Sequence, residues 1–299
     1  MNILITGGSG GLGKRLSKVL LAKGYSVSFL SRNPAKDIDI KTFIWNVNNG
    51  TIDEHCIDGV DTIIHLAGAG IADKRWTENR KKEIIESRTK SIALLYSLLK
   101  SRANKVTSVI SASGIGYYSD RGDELLTENS PPVSDFISQC CIDWEAAVDE
   151  GEKLGLRIVK FRTGVVLDKE AGALPALALP VKLFVGSPIG NGKQWIPWIH
   201  WEDVVDMYLF AIENKALKGV FNMVAPNPVT NAQMTKAVAK QLHKPLWAPN
   251  VPAFVLKLLL GEMSSLVLGS TKVSDQKIKD AGFSFKYTEV TAALKEIYG

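Results

Sequence analysis

The residues best suited to chemistry stand at the start of the chain. Thr6-Gly7-Gly8-Ser9-Gly10-Gly11-Leu12-Gly13 follows an apolar, β-branched run, and Leu12, Leu16, Val19 and Leu20 then recur at helical spacing. Gly7, Gly10 and Gly13 form a G-x-x-G-x-x-G pattern. Glycine permits the tight turn, admits a pyrophosphate close to the backbone, and leaves the helix N-terminus open to negative charge. Between a strand and a helix, this pattern points to a dinucleotide site built from Gly7, Gly10, Gly11, Leu12 and Gly13. Roughly 20 residues further on, a carboxylate would bind the ribose hydroxyls of NAD. Ser31 and Arg32 occupy that place, and Asp37 and Asp39 come too late. A guanidinium pairs with a 2′-phosphate that no carboxylate repels, so NADP(H) is the expected cofactor.

Acid–base groups are harder to place. Ser111, Ser113, Tyr117 and Tyr118 follow a predicted strand, at the sheet edge where ligands bind in alternating α/β folds. Ser113 is a candidate to hydrogen-bond a carbonyl, and Tyr118 to supply a proton. His200 is the other candidate acid, because imidazole titrates near neutrality. Each has an ordinary alternative: a packed, tethered phenol or a histidine bonded to backbone. Cys140 and Cys141 adjoin on a predicted helix, where neighbours point about 100° apart. They read as small hydrophobes rather than a dithiol. Gly186, Gly190, Gly192, Trp195, Trp198 and Trp201 crowd one segment, which suits a pocket wall or lid, or else anchors a second lobe.

Stepping from these residues to the elements beneath them, runs at 1–5, 26–30, 43–45, 62–66, 106–111 and within 157–167 read as strands. Stretches 78–100 and 136–154 read as helices, the first with Ile84, Ile85, Ile92, Leu95, Leu98 and Leu99 as its apolar stripe. Strands alternating with helices imply a parallel sheet covered on both faces, an α/β, Rossmann-type doubly wound fold. Beyond about residue 167 the texture changes. Helices are expected at 202–213 and at 231–242 behind a Thr230 cap, a strand at 220–224, and two or three helices from 245 onward. A Rossmann domain at 1–225 and a smaller, mainly helical, substrate-facing lobe at 226–299 follow.

The composition narrows the function classes. The 299 residues carry 36 Lys and Arg against 31 Asp and Glu, a net +5, with 45% hydrophobic residues. This is globular composition, which excludes wholesale disorder. The mild surplus fits an anionic ligand. No nucleic-acid partner is expected, since basic residues are not interleaved with the tryptophans as in a base-stacking groove. Three cysteines without a C-x-x-C pair imply a reduced, cytoplasmic protein with no metal site. The opening residues lack the basic-then-apolar pattern of a secretory signal. The long apolar stretch 171–190 is broken by Pro175, Pro180, Lys182 and Pro188, so no membrane partner is expected.

Thr6–Gly13 together with His65-Leu66-Ala67-Gly68 resembles the extended short-chain dehydrogenase/reductase superfamily, in its NAD-dependent epimerase/dehydratase group. The likeness is closer to an atypical branch of unknown substrate. Its human and bacterial members are described as NADP-dependent oxidoreductases, some as cell-division inhibitor homologues. Ser31-Arg32, Arg75-Trp76-Thr77, Ile85-Glu86-Ser87-Arg88, Gly116-Tyr117-Tyr118 and Asp143-Trp144-Glu145 carry it. So do Arg162-Thr163-Gly164-Val165-Val166-Leu167, Pro197-Trp198-Ile199-His200 and Leu260-Gly261-Glu262-Met263-Ser264. Residues at about 248–294 are similar to a small domain of unknown function found in that branch. The resemblance implies that the Leu66, Ala67 and Gly68 backbone passes the nicotinamide side of the cofactor. It implies that Glu83 and Arg88 approach the cofactor or each other, and that helices 78–100 and 136–154 could pair in a homodimer.

The superfamily usually carries a Ser or Thr after the fifth strand and Tyr-x-x-x-Lys on the next helix. The tyrosine moves the proton and the lysine lowers its pKa. Here the two registers of that helix give Phe136 with Cys140, or Ile137 with Cys141. The expected function is therefore an NADP(H)-dependent oxidoreductase without the usual dyad, acting on a carbonyl, an alcohol or a nucleotide-linked small molecule. The alternatives are a non-catalytic NADP(H)-dependent regulator of a partner protein, and a nucleotide-sugar epimerase.

Overall fold

The computed structural model describes residues 1–33 and 40–299, so Asp37 and Asp39 lie outside the described residues. The first half comprises β1 (Asn2–Thr6), α1 (Gly11–Ala22), β2 (Ser26–Ser31), β3 (Thr42–Asn46), β4 (Thr51–Ile52), β5 (Thr62–His65), α2 (Glu78–Ser101), β6 (Ser108–Gly114), β7 (Leu125–Leu126), α3 (Phe136–Asp149) and β8 (Arg157–Thr163). Next come β9 (Val165–Leu167), α4 (Leu174–Lys182), β10 (Trp195–Ile196), β11 (Trp198–His200), α5 (Trp201–Glu213), β12 (Gly219–Met223), β13 (Val229–Thr230) and α6 (Asn231–Gln241). The last stretch holds α7 (Ala253–Leu260), α8 (Ser265–Leu268), β14 (Lys272–Val273), α9 (Gln276–Asp280) and α10 (Val290–Tyr298).

Eight strands form one sheet in the order β12-β8-β6-β5-β1-β2-β3-β4. All its pairings are parallel except the β3–β4 hairpin. The alternation along β1 explains why both faces must be covered. Ile3 and Ile5 pack with Leu16 and Leu20 of α1 and with Val204, Met207 and Tyr208 of α5. Leu4 points the other way, into a core with Ile92 and Leu95 of α2 and Trp144 and Val148 of α3. This is the doubly wound arrangement expected from the sequence. Strand order reverses between β1 and β5, which opens a crevice at their carboxyl ends.

Several local expectations change. The helix expected over 136–154 ends at Asp149, and a 3₁₀ turn continues to Leu154 before Gly155 closes it at φ 74°. The β3–β4 hairpin was not anticipated, because a two-residue strand has no periodicity to detect. The tail holds four short helices rather than two or three. It is clasped to α5. His200 caps that helix through Nδ1, which accepts from the Glu202 amide, while Nε2 donates to Glu296 of α10. The buried Asp203 carboxylate accepts the Lys286 and Tyr287 amides.

A buried knot fixes the β1–β5 crevice. The amides of Leu66 and Ala67 donate to Thr6 Oγ1, at 3.2 and 3.1 Å. The Thr6 hydroxyl therefore spends its own proton on His65 Nδ1, 2.9 Å away. Ser91 Oγ donates to the Arg88 carbonyl at 2.8 Å, so it accepts from His65 Nε2 at 3.3 Å. The Thr6 link requires neutral imidazole, with its proton on Nε2 for Ser91. Burial pushes the His65 pKa down to about 4, from an ordinary 6.5. Between these values the unfolded chain binds a proton that the folded chain refuses. The contribution is thus complete above about pH 6.5 and is lost as pH falls toward 4. At ~1.4 kcal/mol per pKa unit, the loss is about 3 kcal/mol. Urea unfolding at neutral and at acidic pH should show that His65→Asn escapes most of this fall. Parallel pH profiles for the two proteins would contradict the knot.

Candidate functional site

The crevice opens into a cavity of about 820 Å³, a size suited to a large small-molecule ligand. Its floor is the turn between β1 and α1. Gly7 has φ 70°, and a Cβ there would lie 2.9 Å from the Leu66 carbonyl carbon. A Cβ on Gly13 would lie 2.6 Å from Gly8, so α1 packs directly on the turn. Gly10 caps α1 without any side-chain hydrogen bond, and the first turn of the helix holds no acidic residue. Among the described residues, the leading amides of α1 are thus left without a protein partner, and no carboxylate of the helix's own first turn repels an anion there. That is the chemistry a pyrophosphate needs.

Ser31 and Arg32 line the cavity, with Asn46 at the end of β3 and Val47 and Asn48 just after it. The wall from α2 contributes Lys82, Glu83 and Glu86. Both carboxylates are engaged: Glu83 with Arg80 at 2.7 Å, Glu86 with Lys90 at 2.9 Å. The Arg80 hydrogen bond holds the Glu83 carboxyl below its ordinary pKa. Arg32 and Lys14, which also line the cavity, form no salt bridge among the described residues, though the Arg32 charge helps to lower the Glu83 pKa. Two cations are therefore left to face a ligand.

Of the residues expected at a cofactor, Gly7, Gly10, Ser31, Arg32, Leu66, Ala67, Gly68 and Glu83 line this cavity. Gly11, Leu12 and Gly13 are not among the lining residues but form the first turn of α1, directly after Gly10. Glu83 and Arg88 do not meet. Arg88 is buried, donates to the Ile84 carbonyl at 2.9 Å and lies over the Trp144 ring. Its guanidinium packs on Gly68, where a Cβ would come within 3.1 Å. Lys14 and Asn46 to Asn48 were missed by sequence reasoning. Lys14 had a signal, its place in the first turns of the motif helix; the loop after β3 had none.

At the sheet edge beyond Gly68, the candidate acids are committed elsewhere. Ser113 Oγ donates to Glu145 Oε1 at 2.7 Å. The same carboxylate takes a two-pronged grip from Arg162, with Nε and Nη2 each at 2.8 Å. Arg162 Nη1 donates to the Tyr118 hydroxyl at 2.9 Å, and Tyr118 in turn donates to Asn222 Oδ1 at 2.7 Å. Tyr118 has no exposed surface, and burial pushes its pKa up to about 12. Burial also opposes the Arg162 charge, but Glu145 outweighs it and the net pKa rises. His200 too has no exposed surface, burial lowers its pKa, and both its nitrogens are in use. The structure thus brings neither Tyr118 nor His200 to a surface a substrate can reach. Glu145 and Arg162 were missed as a functional unit. The signal available was Lys160 and Arg162, two cations at i, i+2 on one face of an otherwise apolar strand.

Helix α3 turns one of the two candidate pairs toward the sheet edge. A Cβ on Gly116 would collide with Ile137, and one on Gly114 would lie 3.7 Å from Cys141 Sγ. Ile137 and Cys141 therefore face the sheet edge, and both are buried. Cys56, Cys140 and Cys141 are free and buried, and burial raises the thiol pKa of each. The tryptophans serve as anchors. Trp198 is fully buried, Trp195 bonds Asp123, and Arg15 stacks on Trp201 at 4.2 Å. Among the described residues, no group of three metal-ligating side chains occurs.

Removing Glu145 would strand the buried Arg162 charge. Glu145→Gln should lower unfolding free energy by about 3–5 kcal/mol. Glu124→Gln, which breaks an exposed pair with Arg121, should cost less than about 1 kcal/mol. Denaturant titrations of both variants check the contrast, and similar losses would refute it.

Comparison with known proteins agrees with this geometry. The model of the NAD dependent epimerase/dehydratase family matches residues 3–223, and that of a domain of unknown function, DUF1731, matches residues 251–297. The epimerase family protein YfhF of Bacillus subtilis is 38% identical over 300 residues, spanning 99% of this chain and 98% of its own. A chloroplastic SDR39U1 homolog of Arabidopsis thaliana is 35% identical over 303 residues, covering 99% of this chain and 86% of its own. The crystal structure of the human epimerase family protein SDR39U1 with NADPH superposes with a TM-score of 0.87 at 30% identity, covering 100% of this chain and 99% of that one. The chain belongs to the NAD dependent epimerase/dehydratase family.

Proposed function

We propose that the chain binds NADP(H) across the β1–β5 crevice and interconverts a carbonyl compound and its alcohol. The observation that carries this reading is the cavity with an uncapped α1 N-terminus at one place and Arg32, which forms no salt bridge among the described residues, at another. The NADPH in the human relative's crystal structure supports the same cofactor here. When bound, NADPH supplies a hydride. The chain's own residues do the rest. The leading amides of α1 would hold the pyrophosphate, with Lys14 adding charge. Ser31 and Arg32 would hold the 2′-phosphate. The backbone at Leu66 and Ala67, locked by Thr6, would steer the nicotinamide end.

Proton handling departs from the superfamily pattern. The Ser113 hydroxyl donates its hydrogen bond to Glu145, so it offers a substrate only lone pairs and would accept from a hydroxyl. Tyr117 is half-buried, lies under the Arg162 guanidinium at 3.4 Å, and its hydroxyl makes no hydrogen bond among the described residues. It is the phenol left to donate a proton at this edge. A second reading, a cofactor-dependent regulator without turnover, draws support from Ile137 and Cys141 standing buried where the dyad would be. That reading predicts NADPH binding with no reduction of any carbonyl in a broad panel.

Fluorescence titration with NADPH and NADH tests the cofactor assignment. Arg32→Asp should weaken NADPH binding by about ten- to a hundredfold, the worth of a charged hydrogen bond, and shift preference toward NADH. Unchanged NADPH affinity would sink the assignment. For proton transfer, Tyr117→Phe should reduce turnover by roughly a hundredfold or more with NADPH affinity intact. Tyr118→Phe should act instead through stability. The reverse pattern would reassign the proton donor.

A further inference from the structure

The positive charge of the chain is concentrated. Residues 171–201 contain Lys182 and Lys193 and no acidic residue. Residues 214–261 contain six lysines and again no acidic residue. The rest of the chain then holds 28 of the 36 basic residues against all 31 acidic ones, so the whole net surplus lies in these two stretches.

The same two stretches hold most of the exposed apolar surface. Among the described residues, thirteen large hydrophobic side chains are exposed. Leu179, Leu183, Phe184 and Val185 stand at the end of α4 and just past it. Trp247, Phe254, Leu258 and Leu259 lie before and along α7. Together they make eight of the thirteen. The segments adjoin: Lys244 Nζ lies 4.0 Å from the Phe184 ring, and the Gly190 amide donates to the Val251 carbonyl at 2.8 Å. Helix α7 reads AFVLKLLL and buries none of its residues. Lys182, Lys244 and Lys257 flank the apolar side chains and meet no carboxylate among the described residues. Phe184 is also held at φ 63°, a conformation that side chains rarely adopt.

We infer that this face docks on an anionic lipid surface. Water is a poor solvent for so large an apolar patch, and soluble monomers rarely keep one without a use. A bilayer interface solvates Phe, Leu and Trp while its headgroups meet the lysines. Charge complementarity chooses this occupant over a second copy of the chain, because two such faces would bring the three lysines of each against those of the other. Among the described residues no helix is long and apolar enough to cross a membrane. Surface docking needs none. The inference stands apart from the cofactor reading, since Phe254 and Leu258 do not line the cavity.

Sedimentation of the full chain with vesicles tests it. Phosphatidylglycerol-rich vesicles should retain the chain about tenfold better than phosphatidylcholine vesicles, and high salt should erase the difference. Phe254→Glu with Leu258→Glu should abolish retention, and Lys182→Glu with Lys257→Glu should abolish the lipid preference. NADPH titration reports that each variant is folded. Equal retention on both lipids, or retention surviving the glutamates, would overturn the proposal. So would light scattering that shows a dimer dispersed by the glutamates in a chain that ignores vesicles.

Discussion

The ligand-facing edge of the molecule depends on how closely Gly7 lies against the Leu66 carbonyl. That approach leaves no room for a side chain, and it sets the distance between the two lips of the crevice. One lip carries the leading amides of α1. The other is the turn after β5, which the Thr6 hydroxyl grips by two amides. Because Thr6 immediately precedes Gly7, the strand that places the glycine also fastens the opposite lip. Neutral His65 and Ser91 then tie this pair to α2, which forms the cavity wall. A shift at any member would re-aim the amides that face the ligand.

A second constraint acts on the neighbouring strands. Buried ions are costly to bring out of water unless their geometry is well satisfied. Here Glu145 and Arg162 meet through two hydrogen bonds, and the remaining donors reach Tyr118 and the Glu128 carbonyl. The network binds α3 to β8 and, through Tyr118 and Asn222, to β12. Its consequence for chemistry is subtractive. The protons of Ser113 and Tyr118 are committed to this network, and Ile137 and Cys141 stand buried on α3.

The parts legible in the sequence were those with short-range logic. The G-x-x-G-x-x-G turn, the parallel strands and the two long helices each have a local signature in spacing or periodicity. Arg32 was legible as the residue in place of a carboxylate, and it does line the cavity. What stayed hidden depends on partners far apart in the chain. Tyr118 reads as an available acid in sequence, but its hydroxyl donates to Asn222, 104 residues away. His200 looked titratable, but Glu296, 96 residues away, holds its ring. Glu83 and Arg88 share a helix, yet a five-residue step turns them to different sides, so Glu83 pairs instead with Arg80, three residues back.

The clasp between α5 and the tail bears on the order in which the molecule is made. Val290, Ala293, Leu294 and Ile297 of α10 fill the same apolar cluster as Leu174, Trp198 and Met234. Glu296 completes the His200 cap, and the Lys286 and Tyr287 amides satisfy Asp203. Synthesis proceeds from the N-terminus, so these groups emerge long before their partners. During that interval a buried carboxylate, an imidazole and an apolar surface must stay solvated or be shielded. The pairings of β1 with β2 and with β5 have no such wait, since both partners of each lie within the first 65 residues. These three strands can therefore pair early on the ribosome, while the groups that the tail satisfies stay open until α10 arrives.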